Sequence, residues 1–218
     1  MPVASTQIAR SSIDALLARE RQRFEREHPV SARAHAQSAA HWLQGVPMHW
    51  MHDWGTPFPL VVRAAEGAHL IDVDGRRYAD FCLGDTGAMF GHSPPPVARA
   101  LATQAARGFT SMLPSEEVGA AGSALARIFR LPFWQMTQTA SDANRSVLRW
   151  ARGITRRRFV VVFNGCYHGM VDDTCVALEA GRTVAKASLI GQVYDLASAT
   201  RVVEFNDIAA LEQALKTR

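Results

Sequence analysis

Residues 158–163 read RFVVVF, and NGCYHGMVDD follows directly. The apolar run Phe159 to Phe163, rich in β-branched valine, is too short for a helix and suits a fully buried strand. Upstream, SDANRSVLRWARGIT (141–155) has the spacing of an amphipathic helix, and FWQMTQ (133–138) before it reads as a short strand. Downstream, RVVEF (201–205) reads as another strand and DIAALEQALK (207–216) as a helix. Strands that alternate with helices pair in parallel, so the second half of the chain is expected to form an α/β sheet.

The first half has a different texture. From Ser11 to His28 the stripe Ile13, Leu16, Leu17 and Phe24 predicts a helix, capped by Ser11 or Ser12 and followed by Pro29. A second helix is expected over Ser31–Leu43, stopped by Gly45. VPMHWMHDWGTPFP (46–59) reads as an ordered irregular arm. In LVVRAAEGAHLIDVDGRRYADF (60–81) alternating apolar residues flank Asp74-Gly75, a strong hairpin signal. CLGDTGAMFGHSPPP (82–96) is a loop with specified turns. Helices are expected over Pro94–Arg107, opened by proline, and over Ser115–Arg130, its start favoured by Ser115, Glu116 and Glu117. The organisation expected is 1–84 as an N-terminal helical arm with a hairpin segment, and 85–218 as the larger α/β part.

Composition narrows the function. With 48% hydrophobic and 20% charged residues in 218, the chain can bury a core and is not a disordered polypeptide. The only lysines are Lys186 and Lys216, and the arginines are scattered or interleaved with acids, as in ARERQRFERE, which argues against nucleic-acid binding. The compact run Arg156-Arg157-Arg158 leads into a strand without aromatic interleaving. Cys82, Cys166 and Cys175 form no zinc pattern and no disulfide framework, so free thiols in the cytoplasm are expected. No window approaches the ~18 apolar residues of a membrane span, and the start of the chain lacks signal-peptide order. His49, His52 and Asp53 lie close together, as do His168, Asp172 and Asp173. The first group has no regular element to aim it, and the acids of the second suit the start of the next element, so no metal is expected.

In parallel α/β sheets, ligands bind beyond the carboxyl ends of the strands, and two segments fall there. In TQTASDAN, the small residues Thr139, Ala140 and Ser141 open a helix and leave backbone N–H groups free, which suits phosphate. An ordinary N-cap by Ser141 or Asp142 is the alternative. In NGCYHG, Gly165 and Gly169 allow sharp turns, and between them Tyr167 can lie over a planar heterocycle while His168 hydrogen-bonds or stacks. The alternative is a tyrosine that fills a loop pocket and a histidine bonded to backbone. Taken together, a phosphate cradle beside an aromatic platform suggests a flat, phosphorylated cofactor.

The ordered stretches GAHLIDVDGRRYADF, GDTGAMFGHSPPPV, TASDANRSVLRWARGIT and VVFNGCYHGMVDD resemble the class III pyridoxal-phosphate-dependent aminotransferases, and within them the glutamate-1-semialdehyde aminomutase branch. The resemblance runs from about Trp42 onward. It implies the fold type I large domain and a homodimer with active sites at the subunit interface. It also implies pyridoxal 5'-phosphate as cofactor, with small-molecule amino donors and acceptors. It places the phosphate on Thr139, Ala140 and Ser141, and the pyridine ring under Tyr167, with His168 and Gly169 completing the motif. Arg156 stands where the family has a glycine, and VPMHWMHDW lacks the arginine with which the branch reads its substrate carboxylate. Asp85 stands at a tryptophan position of that branch's substrate loop, so Asp85 and its neighbour Thr86 imply a different substrate, one with a cationic or hydroxyl group.

Transamination in the family needs a Schiff-base lysine and an acid against the pyridine nitrogen, both on later strands. Lys186, in the Gly- and Ala-rich GRTVAKASLIG, and Lys216, on the last helix, read as surface lysines, so no catalytic residue is expected in this chain. The fold expected is therefore an incomplete fold type I large domain, an N-terminal portion inactive by itself. The alternative is a non-catalytic homologue that pairs with a full-length enzyme.

Overall fold

Among the described residues, three short β-sheets and the helices around them organise the chain, which divides after Leu113 into two compact units. The computed structural model describes residues 8–216. The loop after the first sheet is tied back to it by the contact between Asp80 and His92.

In the first unit, α1 (Arg10–Glu27) and α2 (Pro29–Ser38) meet at His28. Neither serine caps α1; its N-cap is Ala9, without a side-chain bond. α2 starts at Pro29 and ends before the predicted Leu43, where 3₁₀ turns at Leu43–Gly45 and His49–His52 lead into the arm. Of the apolar stripe on α1, Phe24 packs against the Phe58 ring, with centroids 5.1 Å apart, whereas Ile13, Leu16 and Leu17 are exposed.

β1 (Val62–Glu66), β2 (His69–Asp72) and β3 (Arg77–Ala79) form an antiparallel meander. The turn at Asp74-Gly75 is as the sequence predicts. Gly75 has φ +86° and its N–H donates to the Asp72 carbonyl at 3.1 Å. The turn also serves α2. Asp74 accepts from the Val30 and Ser31 amides at 2.7 and 2.9 Å and from the Ser31 hydroxyl at 2.7 Å, so it caps a helix more than 40 residues upstream. Burial pushes the Asp74 carboxyl up, but these donors outweigh it and hold it below the usual carboxylate range. Beneath, Tyr78 joins buried His28 and Asp72, 2.7 Å from His28 Nε2 and donating to Asp72 at 2.8 Å. Burial and then the Asp72 carboxylate push the Tyr78 phenol up to about 12. α3 (Pro95–Ala105) opens at proline as predicted.

In the second unit, α4 (Val118–Phe129) starts later than Ser115. FWQMTQ forms no strand, because no neighbouring strand pairs with it among the described residues. α5 (Ala140–Thr155) then leads to β4 (Val160–Phe163), which pairs in parallel with β7 (Thr200–Val203), and α6 (Ile208–Lys216) follows. The predicted parallel pairing is therefore present. β4 is not fully buried, however; Val162 is buried and its neighbours are half-buried, because only one strand flanks it. Arg156 ends α5 with φ +58°, taking up the left-handed turn in place of the family's glycine. Between β4 and β7 lies an antiparallel hairpin that the sequence reading missed, β5 (Val176–Glu179) and β6 (Arg182–Ala185), turned at Ala180-Gly181. Val162, Val176, Leu196 and Val202 make the buried core beneath these strands.

Candidate functional site

At the start of α5, Thr139 is extended and its hydroxyl closes a reciprocal cap. It accepts from the Asp142 amide at 3.1 Å and donates to the Asp142 carboxylate at 2.9 Å. The ordinary N-cap is thus made, by Thr139 rather than by Ser141 or Asp142. It leaves the N–H groups of Ala140 and Ser141 without protein partners among the described residues, at the positive end of a 16-residue helix. The Asp142 carboxylate is occupied by Thr139 and has the Arg145 guanidinium 3.7 Å away, which offsets its repulsion of an anion.

The other half of the site leaves the carboxyl end of β4. Gly165 and Gly169 have φ of +78° and +81°, and the Tyr167 ring between them is 72% exposed. Ser141 joins the halves: its hydroxyl accepts from the Met170 amide at 2.9 Å. A Cβ on Gly169 would lie 2.2 Å from Ser141 Oγ and 3.0 Å from its Cα, so this approach requires glycine. Asn144 donates to the His168 carbonyl at 3.0 Å and Arg145 to the Met170 carbonyl at 3.2 Å. The structure thus brings Thr139, Ala140 and Ser141 together with the Tyr167–Gly169 segment. His168 Nε2 is shut off from solvent and has no hydrogen-bond partner. Leaving such a buried atom unpaired costs about 1–3 kcal/mol, so it calls for a polar group that the described residues do not supply.

This arrangement fits a phosphorylated planar group. Two free amides and a helix dipole suit the anion, the Ser141 hydroxyl keeps its proton for an acceptor, and an exposed aromatic ring stands beside them.

Sequence reasoning overlooked Asn144 and Arg145 and read Lys186 as a surface lysine. Lys186 is half-buried, not the surface lysine that its Gly- and Ala-rich surroundings suggest. Its amide donates to the Cys175 carbonyl at 2.9 Å, extending the β5–β6 ladder, and its ammonium donates to the Cys166 carbonyl at 3.0 Å. Asn144 lies one helical turn after Ser141, so the period of α5 was the signal that places both on one face. Below the site, Arg152 pairs with Asp173, which also accepts from the Tyr194 hydroxyl at 2.6 Å. Burial pushes the Asp173 carboxyl up, while Tyr194 and Arg152 together hold it below the ordinary range.

Asp85 and Thr86 belong to the first unit. They are exposed and lie in a run of left-handed residues, Leu83 to Thr86, with φ of 55°, 55°, 53° and 78°. Such backbone is costly for Asp and more so for β-branched Thr, and it persists only where the surroundings enforce it. The enforcement is visible at the base. Asp80 accepts from the Cys82 and Leu83 amides at 2.9 and 3.1 Å and lies 2.6 Å from His92 Nε2, while His92 pairs with Gly67 through backbone. The His92 bond, outweighing burial, holds the Asp80 carboxyl below its ordinary value.

An α/β unit with a free helix start and a glycine-hinged aromatic loop at a strand's carboxyl end has the arrangement at which such folds receive phosphate-bearing ligands. Comparison with known proteins makes this specific: the family model for aminotransferase class-III matches residues 50–217, and the chain belongs to that family. It is 35% identical over 159 residues to a glutamate-1-semialdehyde 2,1-aminomutase of Acidovorax sp. (strain JS42), covering 72% of this chain and 36% of that protein. A crystal structure of a glutamate-1-semialdehyde-aminomutase from Pseudomonas aeruginosa PAO1 superposes with TM-score 0.89 at 49% identity, over 95% of this chain and 46% of that one. A variant of the Pseudomonas protein was crystallised in complex with PMP. A β-phenylalanine aminotransferase from Variovorax paradoxus matches with TM-score 0.75 at 27% identity, over 94% of this chain and 44% of that one. The fold is that of the fold type I aminotransferases, and the chain spans between a third and a half of the length of these relatives. Among the described residues, no helix is long and apolar enough to cross a membrane.

Proposed function

We propose that this chain binds pyridoxal 5'-phosphate as part of an aminotransferase or aminomutase that moves an amino group on an amino acid or on an amino aldehyde or keto acid. The contact of Ser141 with Gly169 and Met170 carries the reading, because it sets the helix start and the aromatic loop side by side. When bound, the cofactor supplies an electron sink for chemistry at the carbon that bears the amino group. The Ala140 and Ser141 amides and the Ser141 hydroxyl hold the phosphate, and Thr139 keeps that helix start in shape. Tyr167 would offer its ring to the pyridine, and the unpartnered His168 Nε2 would find a polar partner when the site is filled. From the family resemblance alone we assign Asp85 and Thr86 to substrate recognition, a carboxylate at position 85 favouring a cationic or hydroxyl-bearing amino donor or acceptor.

The chain on its own holds the cofactor without turning over. Lys186 is committed to the Cys166 carbonyl, and Lys216 lies 3.8 Å from Glu212 on exposed α6. The exposed Ile13, Leu16 and Leu17 suit the homodimer that the family relationship implies, and the free thiols of Cys82, Cys166 and Cys175 suit a reducing cytoplasm.

Titration with pyridoxamine 5'-phosphate and with unphosphorylated pyridoxamine tests the site. The phosphorylated form binds at least about tenfold more tightly, as a charge-assisted phosphate contact requires. Ser141→Asp abolishes that preference, and Tyr167→Leu weakens both ligands. Equal affinity of the two ligands for the wild-type chain would sink the reading. Borohydride treatment after addition of pyridoxal phosphate leaves no stoichiometric adduct at a single lysine; one would show that the chain supplies its own amine.

A further inference from the structure

Tyr167 has little packing of its own, yet its attitude decides whether a ring can lie against it. The segment from Gly165 to Met170 is hinged at two left-handed glycines. The short-range backbone bonds at it are Cys166 N–H to the Phe163 carbonyl at 3.2 Å and Val171 N–H to the Gly169 carbonyl at 2.9 Å. What holds it otherwise is a set of side chains from other elements, among them the Ser141 hydroxyl, which accepts from the Met170 amide at 2.9 Å. Lys186 Nζ, just past β6, donates to the Cys166 carbonyl at 3.0 Å. Asn144 Nδ2 and Arg145, both on α5, donate to the carbonyls of His168 and Met170 at 3.0 and 3.2 Å. Alternate carbonyls are therefore pinned. The peptide unit that enters Tyr167 is fixed by Lys186 and the one that leaves His168 by Asn144, so the Cα–Cβ direction of Tyr167 hangs between two anchored points.

Resting on the cofactor reading above, we propose that Lys186 is a positioning residue: with Asn144 and Arg145 it sets the Tyr167 ring in the attitude that receives the cofactor. The ammonium is chosen for reach and charge. It is half-buried, no carboxylate pairs with it among the described residues, and a cation donating to a carbonyl makes a stronger bond than a neutral donor. A lysine committed in this way orients the loop and takes no part in the chemistry.

The test compares the wild-type chain with Lys186→Met, Lys186→Arg and Asn144→Ala, reading amide hydrogen exchange at Cys166, Met170 and Val171 and the affinity for pyridoxamine 5'-phosphate, which cannot couple to a lysine. Lys186→Met speeds exchange at these amides and weakens binding about tenfold, the scale of one lost charged hydrogen bond. Its melting temperature stays close to that of the wild type, and Lys186→Arg recovers most of the affinity. Asn144→Ala reproduces the effect from the other anchor and carries the test should Lys186→Met fail to fold. Unchanged exchange and affinity in the lysine and asparagine variants would overturn the proposal. A wild-type chain that ignores pyridoxamine phosphate while its loop still loosens in Lys186→Met would remove the cofactor reading and leave the tether standing.

Discussion

Gly169→Ala measures how closely the two halves of the site are pressed together. The new methyl group meets two separate obstacles. At φ +81° the residue lies in the left-handed region, which costs an L-residue about 1–2 kcal/mol. The methyl carbon would also stand 2.2 Å from Ser141 Oγ and 3.0 Å from Ser141 Cα. Rotating the hydroxyl relieves the first contact at the expense of the bond from Met170, but the Cα belongs to the backbone of α5, so the helix start or the loop must move. Overpacking of this kind costs about 1–3 kcal/mol, for a total of about 2–5 kcal/mol. Gly165→Ala is the internal control. Its φ is +78°, and a Cβ there has nothing within 4 Å, so it carries the backbone cost alone. The difference between the variants isolates the contact with Ser141. In urea unfolding it should appear as a midpoint about 1 M lower for Gly169→Ala than for Gly165→Ala. Hydrogen exchange at Met170 should accelerate far more in the first variant, since its acceptor is displaced. Equal midpoints and equal exchange would mean that the helix start and the loop are not in contact, and the shared site would fall with that.

Other perturbations test the supports around the site. Asp74→Ala removes the acceptor of three donors at the start of α2, so exchange at Val30 and Ser31 should rise sharply. In the wild type that protection should be full above the ordinary carboxylate value of 3.8 and fade as pH falls through the lower folded value, because the unfolded state binds the proton more tightly; the alanine variant should lack this dependence. Arg152→Met leaves the Asp173 carboxylate with Tyr194 but without its cation and should cost about 1–3 kcal/mol, read by thermal unfolding. The carboxyl of Asp173 should then titrate higher by NMR, since Arg152 is one of the groups that hold it down. Asp80→Asn keeps the shape but removes the charge that binds His92 and two loop amides, so limited proteolysis should open the 81–91 segment first, and an unchanged cleavage pattern would show that the left-handed turn holds itself.

The parts of this structure legible in the sequence are those governed by local pattern. The period of SDANRSVLRWARGIT fixes α5, and the alternation of strands and helices predicts that β4 and β7 run in parallel. The Asp-Gly turn marks the meander. Three features fail for one shared reason, that they depend on neighbours distant along the chain. FWQMTQ has strand composition but no partner strand among the described residues. The β5–β6 hairpin consists of four-residue strands, half-buried and joined by Ala-Gly, so neither length nor hydrophobicity announces it. Lys186 sits among small residues, and only the β5–β6 register, which pairs Val176 with Ala185, turns it toward Cys166. Within the site, Tyr167 and Ser141 could be suspected separately from their strand-end and helix-start positions, whereas the bond from the Met170 amide to Ser141 that joins their segments spans 29 residues and leaves no local trace.

One residue explains why the two halves work as a unit. A serine hydroxyl has a single proton to give and two lone pairs to receive with. At Ser141 one lone pair takes the Met170 amide, which fixes the loop, and the proton stays available to an acceptor in front of the helix start. Thr139, two residues earlier, spends its own proton on the Asp142 carboxylate and a lone pair on the Asp142 amide. That division of labour is what an anion site needs: one hydroxyl closes the helix and silences the adjacent carboxylate, while the next ties down the aromatic loop and still faces outward. Exchanging the two roles would leave the Asp142 amide open and the Met170 amide without its acceptor. The order of threonine, alanine and serine at the head of α5 therefore carries as much of the site as the residue types do.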